Sequence, residues 1–103
     1  MIAITVLYPK TATSTFDTTY YHDTHMKLVG DRWGSMGLKG ATVLHGVNGP
    51  DGAAPPYAVI TTLQFESLEA FGKAVQAHGP EVMGDIANFT NVQPVLQFSE
   101  IAA

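Results

Sequence analysis

The sequence predicts an α+β domain in which four strands form an antiparallel sheet and two helices cover one of its faces. Apolar, β-branched segments alternate with amphipathic segments in the order β-α-β-β-α-β, which is the ferredoxin-like arrangement. The chain has 103 residues, a length that predicts a single domain over residues 1–103.

The first strand and the first helix are predicted from a change in the spacing of apolar residues. Ile2–Tyr8 is apolar and β-branched, which is typical of a central strand, and Pro9 ends it. A helix is predicted over Asp17–Ser35, because the Asp17 carboxylate can accept hydrogen bonds from amides of the first turn. Phe16 and Tyr21 have the spacing of a hydrophobic staple at that helix start.

Two further strands are predicted in the middle of the chain. Ala41–Val47 and Tyr57–Phe65 are both rich in apolar and β-branched residues. Glycines and prolines fill residues 48–56 between them, which indicates a loop at the tip of a hairpin.

A second helix and a last strand complete the predicted fold. Ser67 can cap a helix that runs to His78–Gly79, and Pro80 suits the first position of a separate short helix over Pro80–Ala87. The last strand is predicted over Val92–Ile101, where apolar and polar residues alternate.

The sheet has a second apolar face that two helices on one side cannot cover. Hydrophobic residues make up 46% of the chain and charged residues 14%, well below the roughly 25% typical of soluble domains. We therefore expect a homodimer in which two sheets pack face to face and form a dimeric α+β barrel.

Charge and composition exclude several classes of partner. The net charge is −4, and the five Lys and Arg residues are scattered, which argues against a nucleic-acid surface. No apolar run approaches the ~20 residues of a membrane helix, so no membrane partner is expected. The absence of cysteine and of a signal-peptide pattern favours a cytoplasmic location.

The first predicted helix carries a histidine within its apolar face. At about 100° per residue, one face collects Tyr21, His25, Leu28, Val29, Arg32 and Met36. Burial disfavours the charged form of His25, which would leave a neutral base able to take up a proton near pH 7. The alternative is a core histidine that is satisfied by a hydrogen bond to Tyr21 or to the backbone. Arg32 would either reach a carboxylate or face a pocket that takes an oxygen-bearing ligand.

No metal or cofactor is predicted. His22 and His25 are three residues apart, but no carboxylate cluster or zinc motif accompanies them. His45 and His78 lack the surroundings of a haem ligand. There is also no glycine-rich nucleotide loop and no nucleophile elbow.

Two segments resemble the EthD family, which is named for a protein associated with ethyl tert-butyl ether degradation. The segments are Phe16–Tyr21 with His25-Met26, Leu28-Val29 and Trp33–Leu38, and then Gly84–Thr90 with Pro94. The resemblance implies a dimeric α+β barrel with a cavity between the sheet and the helices of each subunit. Lys27 is a departure, since family members often have proline there, and the pocket shape is expected to differ.

The resemblance also points to particular site residues. The family histidine matches His25, its aromatic pair matches Tyr20 and Tyr21, and its acidic residue before the last strand matches Asp85. Asp85 could orient His25, pair with an arginine, or be a plain surface charge.

Together these observations predict a site for a small, apolar, oxygen-bearing organic compound. The predicted catalytic residues are His25, Tyr21, Arg32 and Asp85. The predicted ligand contacts are Tyr20, Val29, Trp33 and Phe89. Acid–base chemistry by His25 would suit isomerisation, cyclisation or cofactor-independent oxygenation in an oxidative catabolic pathway. A non-catalytic accessory or ligand-binding protein of such a pathway is the alternative, so the sequence leaves open whether the chain is an enzyme.

Overall fold

The computed structural model describes residues 1–102 and confirms the predicted arrangement of strands. The strands are β1 (Ile2–Pro9), β2 (Leu38–His45), β3 (Tyr57–Phe65) and β4 (Val95–Glu100). All neighbouring strands are antiparallel, and their order across the sheet is β2-β3-β1-β4. This is the ferredoxin-like sheet, with β1 and β3 in the centre.

The first helical run has three consecutive parts: α1 (Thr18–Tyr20), a π-helical turn (Tyr21–His25) and α2 (Met26–Trp33). Asp17 caps the run, because its Oδ1 accepts a hydrogen bond from the Tyr20 amide at 3.0 Å. The rings of Phe16 and Tyr21 lie 5.0 Å apart between centroids, as expected of a hydrophobic staple. The predicted helix start is therefore confirmed.

The π-helical turn changes which residues face the sheet. In a regular helix Trp33 would lie about 120° around from Tyr21, and Arg32 only about 20° from it. Here the Met26 amide bonds to the Tyr21 carbonyl, and this wider turn rotates every later position back by roughly 100°. Trp33 is thereby buried at 2% exposure, whereas Arg32 is exposed. The prediction that Arg32 faces inward is wrong for this reason.

The second helix is longer than predicted. It is α3 (Leu68–Gly84), which runs through Pro80 and is followed by a 3₁₀ turn at Asp85–Asn88. Proline lacks the amide donor, but Phe71, Ala74 and Val82 belong to one buried cluster on both sides of it. This continuous packing offsets the missing hydrogen bond, so the predicted break at residues 78–79 and the separate helix from Pro80 are wrong.

Two buried clusters fill the layer between the helices and the sheet. The first, called the tryptophan end, comprises Ile4, Val29, Trp33, Leu63, Phe65, Phe71, Ala74 and Val82. The second, called the tyrosine end, comprises Tyr8, Tyr21, Val59 and Phe89. The functional candidates from the sequence lie mostly at the tyrosine end.

The other face of the sheet carries one apolar row that no helix covers. The strand register aligns Leu44, Ile60, Leu7 and Val95 across all four strands. The side chains of Leu44 and Val95 are 53% and 51% exposed.

In residues 1–102, no helix is both long and apolar enough to cross a membrane.

Candidate functional site

His25 is the last residue of the π-helical turn, and its imidazole points into the layer between helix and sheet. The residue is 4% exposed. Its ring stacks on Tyr21 at a centroid distance of 5.4 Å and contacts Phe89 at 4.6 Å. Its Nδ1 lies 3.0 Å from Oδ2 of Asp85. A carboxylate can only accept, so Nδ1 carries the proton and Nε2 is left as the basic nitrogen.

Asp85 is held in place by two further hydrogen bonds. The Tyr20 hydroxyl donates to Oδ1 at 2.6 Å, and the Asn88 amide donates to the same oxygen at 2.9 Å. Asp85 and Asn88 are the first and last residues of the 3₁₀ turn, where side chains three apart eclipse each other. The turn therefore places the donor directly over the acceptor. This is the arrangement in which a carboxylate orients a histidine.

The chain after this turn is fastened to the start of the first helix. The Asp17 amide donates to the Phe89 carbonyl at 2.7 Å, and the Thr90 hydroxyl donates to the Thr15 carbonyl at 2.6 Å. A bridge also pairs Phe16 with Thr90. These bonds join the two segments that carry His25 and its carboxylate partner.

The protonation states follow from burial and from these partners. Burial lowers the pKa of His25, and its bond to Asp85 offsets only part of that effect. Burial acts to raise the pKa of Asp85, but hydrogen bonds from Tyr20, Asn88 and His25 outweigh it and lower that pKa. The pair at neutral pH is therefore a neutral imidazole beside a carboxylate.

Three buried hydroxyl groups lie at the same end of the layer. The Tyr21 and Thr61 hydroxyls are hydrogen-bonded to each other, and the Tyr8 ring packs edge to face on Tyr21 with 5.9 Å between the ring centroids. Burial raises the pKa of both tyrosines, so these groups are neutral. The bond between Tyr21 and Thr61 uses one of the two hydroxyl protons of that pair, which leaves the other to donate elsewhere.

A cavity of about 50 Å³ separates the first helical run from the sheet. Its polar lining residues are Tyr8, Tyr21, His25 and Thr61. Its apolar lining includes Val29, Trp33, Met26, Leu63 and Val82. The histidine and the hydroxyls thus line one small, otherwise apolar space.

The cavity adjoins a surface groove of about 740 Å³. Met83, Ile86, Pro94 and Leu96 line both of them. Met83 is 40% exposed and Leu96 is 39% exposed, so both side chains reach the surface. These four residues form the boundary between the cavity and the outside of the chain.

The structure brings most of the predicted site residues together. Tyr21, His25, Val29 and Trp33 line the cavity. The others flank it in different ways, since Asp85 and Phe89 contact His25, and Tyr20 contacts Asp85 rather than facing solvent.

Arg32 is the exception among the predicted site residues. Its side chain is 42% exposed and forms an ion pair with Glu81 of α3 on the outer surface. The Glu81 carboxylate raises the pKa of Arg32. The alternative interpretation from the sequence, in which Arg32 reaches a carboxylate, is the one observed.

Three residues at the site were missed by sequence reasoning. Tyr8 and Thr61 lie two residues from apolar residues on the inner face of their strands. This two-residue period was the available signal. Asn88 lies three residues after Asp85, but only the 3₁₀ turn brings their side chains together.

His22 and His25 do not converge, because His22 contacts His45 instead.

Comparison with known proteins gives the family to which this chain belongs. Residues 9–93 match the EthD domain. An EthD-like protein from Ralstonia eutropha is 40% identical, and the match covers 99% of this chain and 92% of that protein, with a TM-score of 0.92. The chain belongs to the EthD family.

Two more distant structures share the fold. An ethyl tert-butyl ether degradation family protein from Bacillus halodurans is 19% identical, covers 99% of both chains and gives a TM-score of 0.69. A dimeric ferredoxin-like protein from an uncultured marine organism is 10% identical, covers 100% of this chain and 96% of that chain, and gives a TM-score of 0.56. The comparison with curated proteins gave no match.

Proposed function

We propose that the cavity holds a small, apolar, oxygen-bearing organic compound on which His25 acts as a general acid–base. The observation that carries the proposal is the bond between His25 Nδ1 and the Asp85 carboxylate beside an apolar cavity. This bond fixes the tautomer in which Nε2 is basic. A histidine with a lowered pKa stays neutral, and therefore able to accept a proton, at pH 7.

The hydroxyl groups supply the complementary function. The spare proton of the Tyr21–Thr61 pair can be donated to a ligand oxygen within the cavity. A ligand whose oxygen faces these hydroxyls and whose acidic proton faces His25 would develop negative charge on the oxygen as the proton leaves. This arrangement suits an enolisable or phenolic compound. Deprotonation of that kind is the first step of isomerisation, cyclisation or cofactor-independent oxygenation.

The size of the cavity sets a condition on the ligand. An engineered cavity of about 150 Å³ in another protein binds benzene, whereas this cavity is about 50 Å³. A ring-sized ligand must therefore displace side chains as it enters. Met83 and Leu96 are suited to this, since both are partly exposed where the cavity meets the surface groove, and methionine adapts its shape easily.

We also propose that the protein acts as a homodimer formed through the uncovered sheet face. The apolar row of Leu44, Ile60, Leu7 and Val95 supports this, as does the marine protein of the same fold that is described as dimeric. The test is Leu44→Glu, which should convert a dimer to a monomer in light scattering. Val47→Glu is the control, because Val47 is 77% exposed beyond the end of β2. Equal masses for the two variants would contradict this interface.

The catalytic proposal can be tested with acetone, the smallest enolisable ketone. In D₂O, His25 would remove an α-proton to give the enolate and an imidazolium, and return of a deuteron would label the methyl groups. Proton NMR follows the label. His25→Ala should slow the protein-catalysed exchange by about 10²-fold or more, and His78→Gln on α3 should not change it.

The same experiment separates catalysis from binding alone. If acetone shifts the His25 ring resonances but wild type and His25→Ala exchange equally slowly, the protein is a ligand-binding accessory of its pathway. Exchange that depends on His25 supports the enzyme.

A further inference from the structure

A second pair of histidines lies outside the cavity. His22 is in the π-helical turn, and His45 is the last residue of β2. Both side chains are exposed, and their Nε2 atoms lie 2.7 Å apart. The ring centroids are 4.9 Å apart with an interplanar angle of 48°. Neither residue has a part in the chemistry proposed for His25.

The short distance between the two nitrogens has a simple chemical meaning. Two bare lone pairs would repel and two N–H groups would collide, so one proton lies between the nitrogens in the free protein. A neutral imidazole nitrogen is also a common ligand for transition metals. A metal ion can take the place of the shared proton when the two exposed rings turn so that both lone pairs converge on a point beside the line that joins the nitrogens.

We propose that His22 and His45 form a binding site for a divalent late transition metal ion, with Cu²⁺ bound more tightly than Zn²⁺. The preference for Cu²⁺ over Zn²⁺ is based on the distance between the two nitrogens. With metal–imidazole bonds of about 2.0–2.1 Å, two nitrogens 2.7 Å apart subtend roughly 80° at the metal. That angle is close to the 90° of tetragonal Cu²⁺ or Ni²⁺ sites, whereas tetrahedral Zn²⁺ needs a separation of about 3.3 Å.

The remaining coordination positions are open. Within residues 1–102, no group of three or more histidines, cysteines or carboxylates is placed to hold a metal. Because both imidazoles are exposed, water can fill the other positions. With only two protein ligands, affinity depends strongly on the metal, and it is highest for Cu²⁺ in the Irving–Williams order. The net charge of −4 also favours a cation.

Metal binding would link two elements that are distant in the sequence. His22 is separated from His45 by 23 residues, and the two belong to the helical run and the sheet. A bound ion would hold the end of β2 against the π-helical turn. Binding should therefore raise the temperature of unfolding in the wild type.

The test is titration of the full chain with Cu²⁺ and, separately, Zn²⁺, followed by calorimetry and by electron paramagnetic resonance for Cu²⁺. The expected result is one Cu²⁺ per chain, two equatorial nitrogen ligands, and weaker binding of Zn²⁺. Loss of a residue that only hydrogen-bonds to a metal ligand typically lowers metal affinity about 10- to 100-fold. Loss of a ligand itself, in His22→Gln or His45→Gln, should therefore weaken Cu²⁺ binding at least roughly tenfold. His78→Gln is the matched control and should bind as the wild type does.

A second readout keeps the test independent of folding defects. Thermal unfolding of each variant without metal shows whether it is folded, and added Cu²⁺ should raise the unfolding temperature only when both histidines are present. Undiminished binding by folded His22→Gln or His45→Gln would overturn the proposal. A resonance signal from a single nitrogen ligand, or tighter binding of Zn²⁺ than of Cu²⁺, would overturn it as well.

Discussion

The tryptophan end and the tyrosine end occupy the same layer between helices and sheet, but they are built differently. At the tryptophan end the rings of Trp33, Phe65 and Phe71 contact one another edge to face, and the Trp33 indole donates its one hydrogen bond to the Ala74 carbonyl at 2.9 Å. At the tyrosine end two of the three aromatic rings carry hydroxyl groups, and Tyr21 and Phe89 contact the buried imidazole of His25.

The difference indicates where stability and function reside. Apolar contacts are sufficient to build a core. A polar group that is buried within it needs only one hydrogen-bond partner. The tyrosine end buries Tyr8, Tyr21, His25 and Thr61, and most of their hydrogen bonds are to other side chains. A buried side-chain network makes a core rigid when every member is satisfied, and it is costly when one member is left without a partner. Such a network beside a cavity is typical of a binding or catalytic site.

The largest effect is expected from Trp33→Ala at the tryptophan end. The variant removes a buried ring and the hydrogen bond from its indole to the Ala74 carbonyl, so the free energy of unfolding should fall by about 3–5 kcal/mol. Urea unfolding followed by circular dichroism measures it. Trp33→Phe should lose less, and a loss below about 1 kcal/mol for the alanine variant would show that this end is not the main core.

A smaller effect is expected from Tyr21→Phe at the tyrosine end. The ring packing is kept, but the Thr61 hydroxyl loses its partner, which should cost about 1–3 kcal/mol. Tyr57→Phe on β3 is the control. If the two variants unfold at the same urea concentration, the buried hydroxyls are not coupled to each other.

The third prediction concerns pH. Because the folded-state pKa of His25 is below the ordinary 6.5, the unfolded chain takes up a proton at higher pH than the folded chain does. Stability should therefore be lost as pH falls from about 6.5 to the folded-state value. His25→Gln should remove this component of the pH dependence, measured as unfolding free energy between pH 7 and pH 5. An unchanged slope would mean that His25 titrates as it does in the unfolded chain.

The smallest effect is expected from Arg32→Ala. Its ion pair with Glu81 is exposed, and such pairs contribute little because water and salt screen them. The unfolding midpoint should match that of the wild type within error, and acetone exchange should be unaffected. A large loss of exchange would restore Arg32 to the site where the sequence had placed it.

The sequence predicts the fold more fully than the site, and the first helical run shows why. The apolar, β-branched composition of β1 and β3 and the Asp17 cap are local features, so all of them could be predicted. The π-helical turn has no such local signal, and it decides that Trp33 is buried and Arg32 exposed. A regular helical period extrapolated across that turn therefore misplaces Arg32, although Val29 still faces inward.

The partners of His25 illustrate the second limit. Asp85 is 60 residues away and was suggested through the family resemblance, whereas its geometry comes from the 3₁₀ turn and from Asn88. Thr61 approaches Tyr21 only because the sheet and the first helical run pack together. Contacts that depend on packing between distant segments cannot be obtained from residue spacing.

The most direct test of the account is the titration of His25 by NMR, with its ring nitrogens labelled. The structure predicts a pKa below 6.5, with Nδ1 protonated and Nε2 unprotonated at neutral pH, and a still lower pKa in Asp85→Asn because the carboxylate's favourable charge is removed. A wild-type pKa at or above 6.5, or the same pKa in Asp85→Asn, would contradict a buried, neutral histidine oriented by Asp85.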